Sequence, residues 1–130
     1  MEKKLNCIML IDDNSDDNYF HQRLLKKTDA ANHIQITDSG FVALDYLSGE
    51  SLIPELIFLD INMPKMNGWE FLEEYSKLNE NKKARQVIIM LTTSLNPADE
   101  KKAQSLSVIS GFESKPLTAE KLQKILERFF

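Results

Sequence analysis

The chain has 130 residues, 42% of them hydrophobic, and a net charge of −4 at pH 7. A chain of this length and composition forms one globular domain, and its acidic balance argues against nucleic acid as the main partner, because phosphate contacts need a stripe of Lys and Arg. No apolar stretch is long enough to cross a membrane, and the first apolar run is too short for a secretory signal.

Short apolar runs alternate with amphipathic segments along the whole chain. The pattern predicts five strands, at Leu5–Ile11, His33–Thr37, Glu55–Leu59, Gln86–Leu91 and Val108–Phe112. The first, third and fourth runs are almost continuously apolar, which is typical of strands covered by helices on both faces.

Each strand is followed by a predicted helix whose N-terminus has a capping residue. The candidate caps are Asn14 or Ser15, Ser39, Asn67, Asn96 and Thr118. Asn67 is followed three residues later by Glu70, which predicts a capping box. Five strand–helix units in succession predict an α/β fold with one five-stranded, parallel, doubly wound sheet and right-handed crossovers.

The helices differ in the apolar face that they offer to the sheet. The fifth repeats large residues at helical spacing, and Phe20 with Leu24 gives the first helix a shared face, so that Phe20 is assigned to the core. The fourth offers only Ala98, Ala103 and Leu106. Such a weakly anchored helix fits a switching element and an ordinary edge helix equally well.

Carboxylates follow two of the apolar strands. Asp12 and Asp13 come directly after the first, and Asp60 ends the third. Capping of the next helix would explain one such Asp, but three at the same edge of a parallel sheet indicate an acidic pocket. Two carboxylates about 5 Å apart repel by about 3 kcal/mol at an effective dielectric constant near 20, so the pocket needs a cation.

The chemistry of that pocket favours magnesium. Its ligands are oxygens, and the chain has one cysteine and two histidines, too few for a typical zinc site. Asp60 is placed to act as a nucleophile.

Two further segments end near the same edge. Thr92, Thr93 and Ser94 follow the fourth strand and supply hydroxyl groups, although Thr at a strand end is common in itself. Lys115 follows the fifth strand and precedes Pro116, which restricts Lys115 to an extended conformation and makes their peptide bond a candidate for the cis form. A lone lysine is usually a solvated surface charge, but beside an acidic pocket it is expected to face the carboxylates.

Together these motifs resemble the receiver domains of two-component response regulators, which have the chemotaxis-type, flavodoxin-like fold. The resemblance rests on Ile11-Asp12-Asp13, Leu59 to Pro64 with Gly68, Leu91 to Ser94, and Lys115-Pro116. Each motif alone is weak, but their order and spacing are specific and cover essentially the whole chain. The resemblance implies the strand order 2-1-3-4-5.

The resemblance also implies roles for individual residues. Asp60 would be the phosphoacceptor, charged by a histidine kinase or a histidine phosphotransfer protein. Mg²⁺ would be bound by Asp12, Asp13, Asp60 and the main-chain carbonyl of Asn62.

Other positions would serve the phosphoryl group and the response to it. Thr92 would donate a hydrogen bond to the phosphoryl group, and Lys115 would pair with it. Phe112 stands where the family has its aromatic switch residue, more often Tyr, although simple core packing also explains a Phe there. Asn62 and Ser94 occupy positions that influence the lifetime of the phosphoryl group in the family.

Three other functions fit parts of this pattern. A haloacid-dehalogenase-type phosphatase also uses an Asp nucleophile and Mg²⁺, but it needs an acid/base Asp where this chain has Asn62. Dinucleotide binding needs a glycine-rich turn after the first strand, where this chain has an acidic turn. An interaction module that is never phosphorylated remains the third alternative.

We therefore expect a single receiver domain over residues 1–130, without an output domain. It would accept phosphoryl groups and catalyse its own Mg²⁺-dependent phosphorylation and dephosphorylation without being a turnover enzyme. Its partners would be the kinase or phosphotransfer protein, docked with help from Tyr19, Phe20 and His21, and a downstream protein, with no nucleic acid and no membrane. A monomer or weak homodimer in the cytoplasm is expected, with Cys7 as a buried free thiol.

Overall fold

Strands and helices alternate along the chain in the computed structural model, which describes residues 4–49, 52–78, 86–93 and 96–130. The strands are β1 (Leu5–Ile11), β2 (Ala31–Thr37), β3 (Leu56–Asp60), β4 (Val87–Thr92) and β5 (Gly111–Ser114). The helices of the described ranges are α1 (Ser15–Lys27), α2 (Gly40–Ser48), α3 (Gly68–Tyr75), α4 (Pro97–Ser105) and α5 (Ala119–Phe129).

The five strands form one parallel sheet in the order β2-β1-β3-β4-β5, which confirms the predicted fold class and topology. Because all strands run the same way, their carboxyl ends lie along one edge. The register places Asp60 opposite Leu91, and Thr92 opposite Ser114. The ends of β3, β4 and β5 are therefore neighbours at that edge.

The sheet separates two apolar layers, because successive side chains of a strand point to opposite faces. On one face α2, α3 and α4 pack against residues such as Met9 and Ile57. On the other, α1 and α5 pack against residues such as Ile8 and Leu10. All of these strand side chains are fully buried, and each contributes about 1.5–3 kcal/mol to folding.

The predicted caps are present at all five described helices. The side chains that accept hydrogen bonds from first-turn N–H groups are Asn14, Ser39, Asn67, Asn96 and Thr118. Asn67 and Glu70 form the predicted capping box, with both hydrogen bonds present. Each cap stabilises its helix by about 1 kcal/mol and fixes where the helix begins.

The fifth strand differs from the prediction of Val108–Phe112. It begins at Gly111, because Val108 lies in a turn in which the Ile109 N–H donates to the carbonyl of Leu106 (3.1 Å). Ile109 is buried in the layer that also holds Ala103. The apolar pair at 108–109 thus covers the end of α4 instead of extending the strand.

The core face of α1 also differs from the prediction. Phe20 is 51% exposed, so its assignment to the core was wrong. The buried residues are Asn18, His21 and Leu25. Polar contacts set this rotation of the helix, because Asn18 Nδ2 donates to the carbonyl of Asp12 (2.7 Å) and His21 Nε2 accepts a hydrogen bond from the Leu117 N–H (3.2 Å).

Helix α4 has the small buried face that its sequence indicated. Ala103 is its only buried residue, Leu106 just beyond it is half-buried, and Ala98 is exposed, contrary to prediction. In contrast, α5 buries Leu122, Ile125 and Leu126. Far less apolar area therefore holds α4 to the sheet.

Gly68 at the start of α3 allows a close backbone approach that a side chain would prevent. A Cβ there would lie 2.7 Å from the carbonyl oxygen of Asp60 and 3.0 Å from the Cα of Ile61. We therefore expect Gly68→Ala to lower the free energy of unfolding by about 1–3 kcal/mol, measured by urea titration.

Gly49→Ala is the matched control, because a Cβ there meets nothing closer than 3.6 Å. It should leave stability within about 0.5 kcal/mol of the wild type. Equal stability of the two variants would contradict the proposed crowding at Gly68.

Candidate functional site

Three carboxylates meet at the carboxyl edge of the sheet. Asp12 and Asp13 follow β1, Asp60 ends β3, and one oxygen atom from each lies within 4.8 Å of the others. Asp12 and Asp60 are buried, whereas Asp13 is exposed. The structure thus brings together the three acids that the sequence placed at this edge.

The ammonium group of Lys115 contacts two of these acids and a further one, Asp17. Its Nζ is 2.7 Å from Asp12 Oδ2, 2.8 Å from Asp17 Oδ2 and 3.2 Å from Asp60 Oδ1. Burial lowers the pKa of Lys115, but the hydrogen bonds to Asp12 and Asp17 outweigh it, so the pKa is raised overall. Lys115 is therefore charged at neutral pH and offsets part of the negative charge.

Asp60 remains difficult to ionise despite this neighbour. Burial and the negative charge of Asp12 raise its pKa to about 6, although Lys115 acts in the opposite direction. A bound cation would relieve this penalty. The donors of Asp12, Asp13 and Asp60 are carboxylate oxygens, which fit a hard divalent ion such as Mg²⁺.

The loop after β3 is fixed where a metal ligand from the main chain would lie. The N–H of Gly68 donates to the carbonyl of Ile61 (2.8 Å), which ties the start of α3 to this loop. Asn62 is the next residue, and its side chain is exposed. The carbonyl of Asn62 therefore belongs to a restrained loop two residues beyond Asp60.

The residues after β4 are described in part. Thr92 is buried at the end of the strand, and its carbonyl accepts a hydrogen bond from the Lys115 N–H (2.7 Å). Thr93 is exposed, and Ser94 lies outside the described residues. The ends of β4 and β5 are thus joined through the main chain of the two residues that flank the pocket.

Two helices hold the loop that carries Lys115. From α1, His21 Nε2 accepts a hydrogen bond from the Leu117 N–H (3.2 Å). From α5, Lys121 Nζ donates to the carbonyls of Ser114 (2.8 Å) and Pro116 (3.2 Å). The Lys115–Pro116 peptide bond is cis, the form for which the sequence made it a candidate.

His21 is part of this support and is 2% exposed, so it does not belong to an exposed docking surface as predicted. Burial and the charge of Lys115 lower its pKa, which keeps the imidazole neutral and lets Nε2 act as the acceptor. Tyr19 and Phe20 are exposed, at 65% and 51%. Of the three residues predicted to dock a kinase, these two remain.

Sequence reasoning missed Asp17 and Asn18 as parts of the pocket. Asn18 holds the Asp12 main chain, and Asp17 contacts Lys115. No local pattern marks them, because both act on partners outside α1: Asn18 on the Asp12 carbonyl, and Asp17 on Lys115, 98 positions away.

Phe112 lies in β5 opposite Met90 and is half-buried against the layer of α2, α3 and α4. Beside it is a cavity of about 230 Å³ whose lining includes Ala103 of α4 and Arg128 of α5. The ring thus lies at the junction of α4, β5 and α5, next to free volume.

A family model described as the response regulator receiver domain matches residues 8–127. A solved structure titled as a two-component response regulator from Cytophaga hutchinsonii is 30% identical, covers 98% of each chain and has a TM-score of 0.88. The Two-component response regulator 24 of Arabidopsis thaliana is 30% identical over 128 residues, 98% of this chain and 85% of its own length.

Longer signalling proteins contain a similar segment. The Hybrid signal transduction histidine kinase C of Dictyostelium discoideum is 30% identical over 127 residues, which are 94% of this chain and 10% of that protein. The relatives thus include both response regulators and histidine kinases. None of the described helices combines the length and the apolar character that a membrane span requires.

The raised pKa of Asp60 makes a prediction about stability. Because the pKa of Asp60 is about 6 in the folded protein and the ordinary pKa of an Asp is 3.8, ionisation of Asp60 opposes folding as pH rises between these values. Asp60→Asn cannot ionise, so in Mg²⁺-free buffer at pH 7 its free energy of unfolding should exceed that of the wild type by about 1–3 kcal/mol.

Urea titration at several pH values measures this difference, which should shrink as pH falls from 6 to 4 and vanish at a pH well below 3.8, where Asp60 is protonated in both states. Asp45→Asn, on the exposed side of α2, controls for net charge. A wild type that is the more stable protein at pH 7 would contradict the electrostatic account.

Proposed function

The chain belongs to the response regulator receiver domain family, and on that basis we propose that Asp60 accepts a phosphoryl group from a histidine kinase or a histidine phosphotransfer protein. The observation that carries the proposal is the Lys115 ammonium 3.2 Å from Asp60, in the pocket that also contains Asp12 and Asp13. Phosphoryl transfer needs a nucleophile, here a carboxylate, together with a positively charged side chain and oxygen ligands for a metal ion.

Asp12, Asp13 and Asp60, with the main-chain carbonyl of Asn62, are the residues that we assign to Mg²⁺. When bound, the ion supplies neutralisation of charge on the phosphoryl oxygens. The assignment is supported by the all-oxygen donor set and by the raised pKa of Asp60, since a cation favours the ionised carboxylate.

In the transfer step, a carboxylate oxygen of Asp60 forms a bond to phosphorus as the bond from phosphorus to the donor breaks. The departing donor keeps the electron pair of that bond. Above a pH of about 6 the carboxylate is already ionised and needs no general base. Lys115 offsets charge on the phosphoryl group, and the same pocket supports self-phosphorylation from small donors and later hydrolysis.

The phosphoryl group carries roughly −1.5 to −2 charges and replaces the single negative charge of the Asp60 carboxylate, so about one negative charge is added at the end of β3. We propose that Thr92 moves toward the phosphoryl group and donates a hydrogen bond to it. Phe112 would then turn into the space that Thr92 leaves. The nearby cavity of about 230 Å³ and the single buried residue of α4 support a repacking there. The face of α4, β5 and α5 would then change its affinity for a downstream protein.

The phosphodonor is proposed to dock on α1 beside the pocket. Tyr19 and Phe20 are exposed, and Phe20 lines a cavity of about 430 Å³ together with Lys115 and Pro116. An apolar side chain of the donor, bound in this cavity, would hold the donor close to Asp60.

The cytoplasm is the compartment that we propose, since Cys7 is a buried free thiol suited to a reducing environment.

The first test is intact-mass measurement after incubation with acetyl phosphate. The wild type should gain the mass of one phosphoryl group only when Mg²⁺ is present, and Asp60→Ala should gain none. Asp45→Asn, an exposed acid on α2, should be labelled like the wild type.

Labelling that persists in Asp60→Ala would contradict the site assignment. Sustained turnover of a phosphate ester would favour the phosphatase alternative, and no labelling of the wild type would favour an unphosphorylated interaction module.

The docking proposal predicts that donor size matters. Phe20→Ala should slow transfer from a purified phosphorylated histidine phosphotransfer protein at least fivefold, about the effect of losing one buried aromatic contact, and leave labelling by acetyl phosphate unchanged. Radiolabel transfer measures the first rate, and intact mass measures the second.

Phe41→Ala removes an equally exposed ring, 55% against 51%, from α2 and should alter neither rate. Equal slowing by both variants would place the donor elsewhere.

A further inference from the structure

Asp17 contacts the same ammonium group as Asp60 but lies on a different element. It is in the first turn of α1, with its N–H donating to Asn14 Oδ1 (3.1 Å). Its carboxylate accepts from Lys115 Nζ at 2.8 Å, closer than the 3.2 Å between Nζ and Asp60. None of the roles assigned above to the phosphoryl group or Mg²⁺ uses this residue.

We propose that Asp17 is a positioning residue that holds the Lys115 ammonium toward α1 in the unphosphorylated protein and competes for it with the phosphoryl group on Asp60. The inference rests on the proposed function of Asp60. It means that Asp17 lowers the fraction of the protein that is phosphorylated at a given donor concentration.

The geometry around Lys115 supports a competition. An ammonium has three N–H donors, and three carboxylates surround this one. The main chain of Lys115 is held by the carbonyl of Thr92, so Nζ changes partner only through rotation of its own side chain. The two shorter contacts, to Asp12 and Asp17, both draw Nζ toward the start of α1.

The two shorter contacts are held firmly. Asp12 Oδ1 accepts from the Asn14 N–H (3.0 Å), and the Asp12 carbonyl accepts from Asn18. Asn14 also caps the helix turn that carries Asp17. One capping residue therefore orders both acids that hold Lys115 before phosphorylation.

Phosphorylation changes the balance on the other side of Lys115. A phosphoryl group carries more charge than the carboxylate it modifies and presents three acceptor oxygens. While Nζ contacts Asp17, it pairs less well with these oxygens, so the two contacts compete. Removing Asp17 stabilises the phosphorylated form relative to the unphosphorylated form, because the unphosphorylated form depends more on the ion pair between Asp17 and Lys115.

The test measures the phosphorylated fraction by intact mass at a limiting concentration of acetyl phosphate with Mg²⁺. In each event the Asp60 oxygen bonds to phosphorus, and acetate leaves with the electron pair. Asp17→Asn should raise the ratio of phosphorylated to unphosphorylated protein about two- to fivefold, the range expected for loss of one partly exposed ion pair. Asp17→Glu keeps the carboxylate and should return the ratio toward that of the wild type.

Asp16→Asn is the matched control. Asp16 lies in the same helix turn, carries the same charge and donates its N–H to the same Asn14 Oδ1 (3.0 Å), but its side chain is exposed and pairs with no cation in the described part of the chain. It should leave the ratio at the wild-type value. The general effect of charge near the helix terminus is thereby removed from the comparison.

A double-mutant cycle shows whether Asp17 acts through Lys115. In a Lys115→Ala background, Asp17→Asn should no longer change the ratio. A purely structural role for Asp17 would persist in that background, and thermal unfolding of every variant would reveal it as a lowered Tm.

The inference is overturned if Asp17→Asn matches Asp16→Asn, lowers the ratio, or retains its effect without Lys115. Its failure is distinguishable from failure of the proposed function. A wild type labelled at Asp60 with no difference at Asp17 removes only the inference, whereas a wild type that is never labelled removes both.

Discussion

The Lys115 ammonium contacts three carboxylates, from the end of β1, the end of β3 and the first turn of α1. Two carboxylates about 5 Å apart would repel by about 3 kcal/mol at an effective dielectric constant near 20, so this one cation is what allows the acids to lie together. The compensation is incomplete, since burial and Asp12 still raise the pKa of Asp60 to about 6. That residual imbalance is what a bound divalent cation, as proposed here, would relieve.

The main chain around the pocket supports this arrangement from several sides. Parallel pairing places the end of β3 beside that of β4, and the carbonyl of Thr92 fixes the Lys115 N–H. Gly68 lets α3 approach the loop after Asp60, and neutral His21 joins α1 to Leu117. The charged groups therefore meet in a framework that is already ordered, as efficient phosphoryl transfer requires.

The topology and the meeting of Asp12, Asp13 and Asp60 were predictable from the strand ends and the helix caps. Both are local sequence patterns, and each fixes where a strand ends or a helix begins. The rotation of α1 was not predictable from apolar spacing, since Asn18 and His21 turn their polar side chains inward to hydrogen-bond main-chain groups outside the helix, at Asp12 and Leu117. The start of β5 was missed for a related reason: Val108 and Ile109 have strand-forming side chains but lie in a turn that packs against α4. The contact of Asp17 with Lys115 joins residues 98 positions apart, and no local pattern contains it.

The sheet divides the interior into two apolar layers, whose packing can be changed separately. Phe112 and α4 belong to one layer, whereas Leu122, Ile125 and Leu126 of α5 belong to the other. Conservative replacements among these α5 side chains thus leave the packing of Phe112 and Ala103 in the other layer unchanged. Evolution or an engineer has a route to adapt this domain to a hotter or colder environment without repacking the Phe112 side of the sheet.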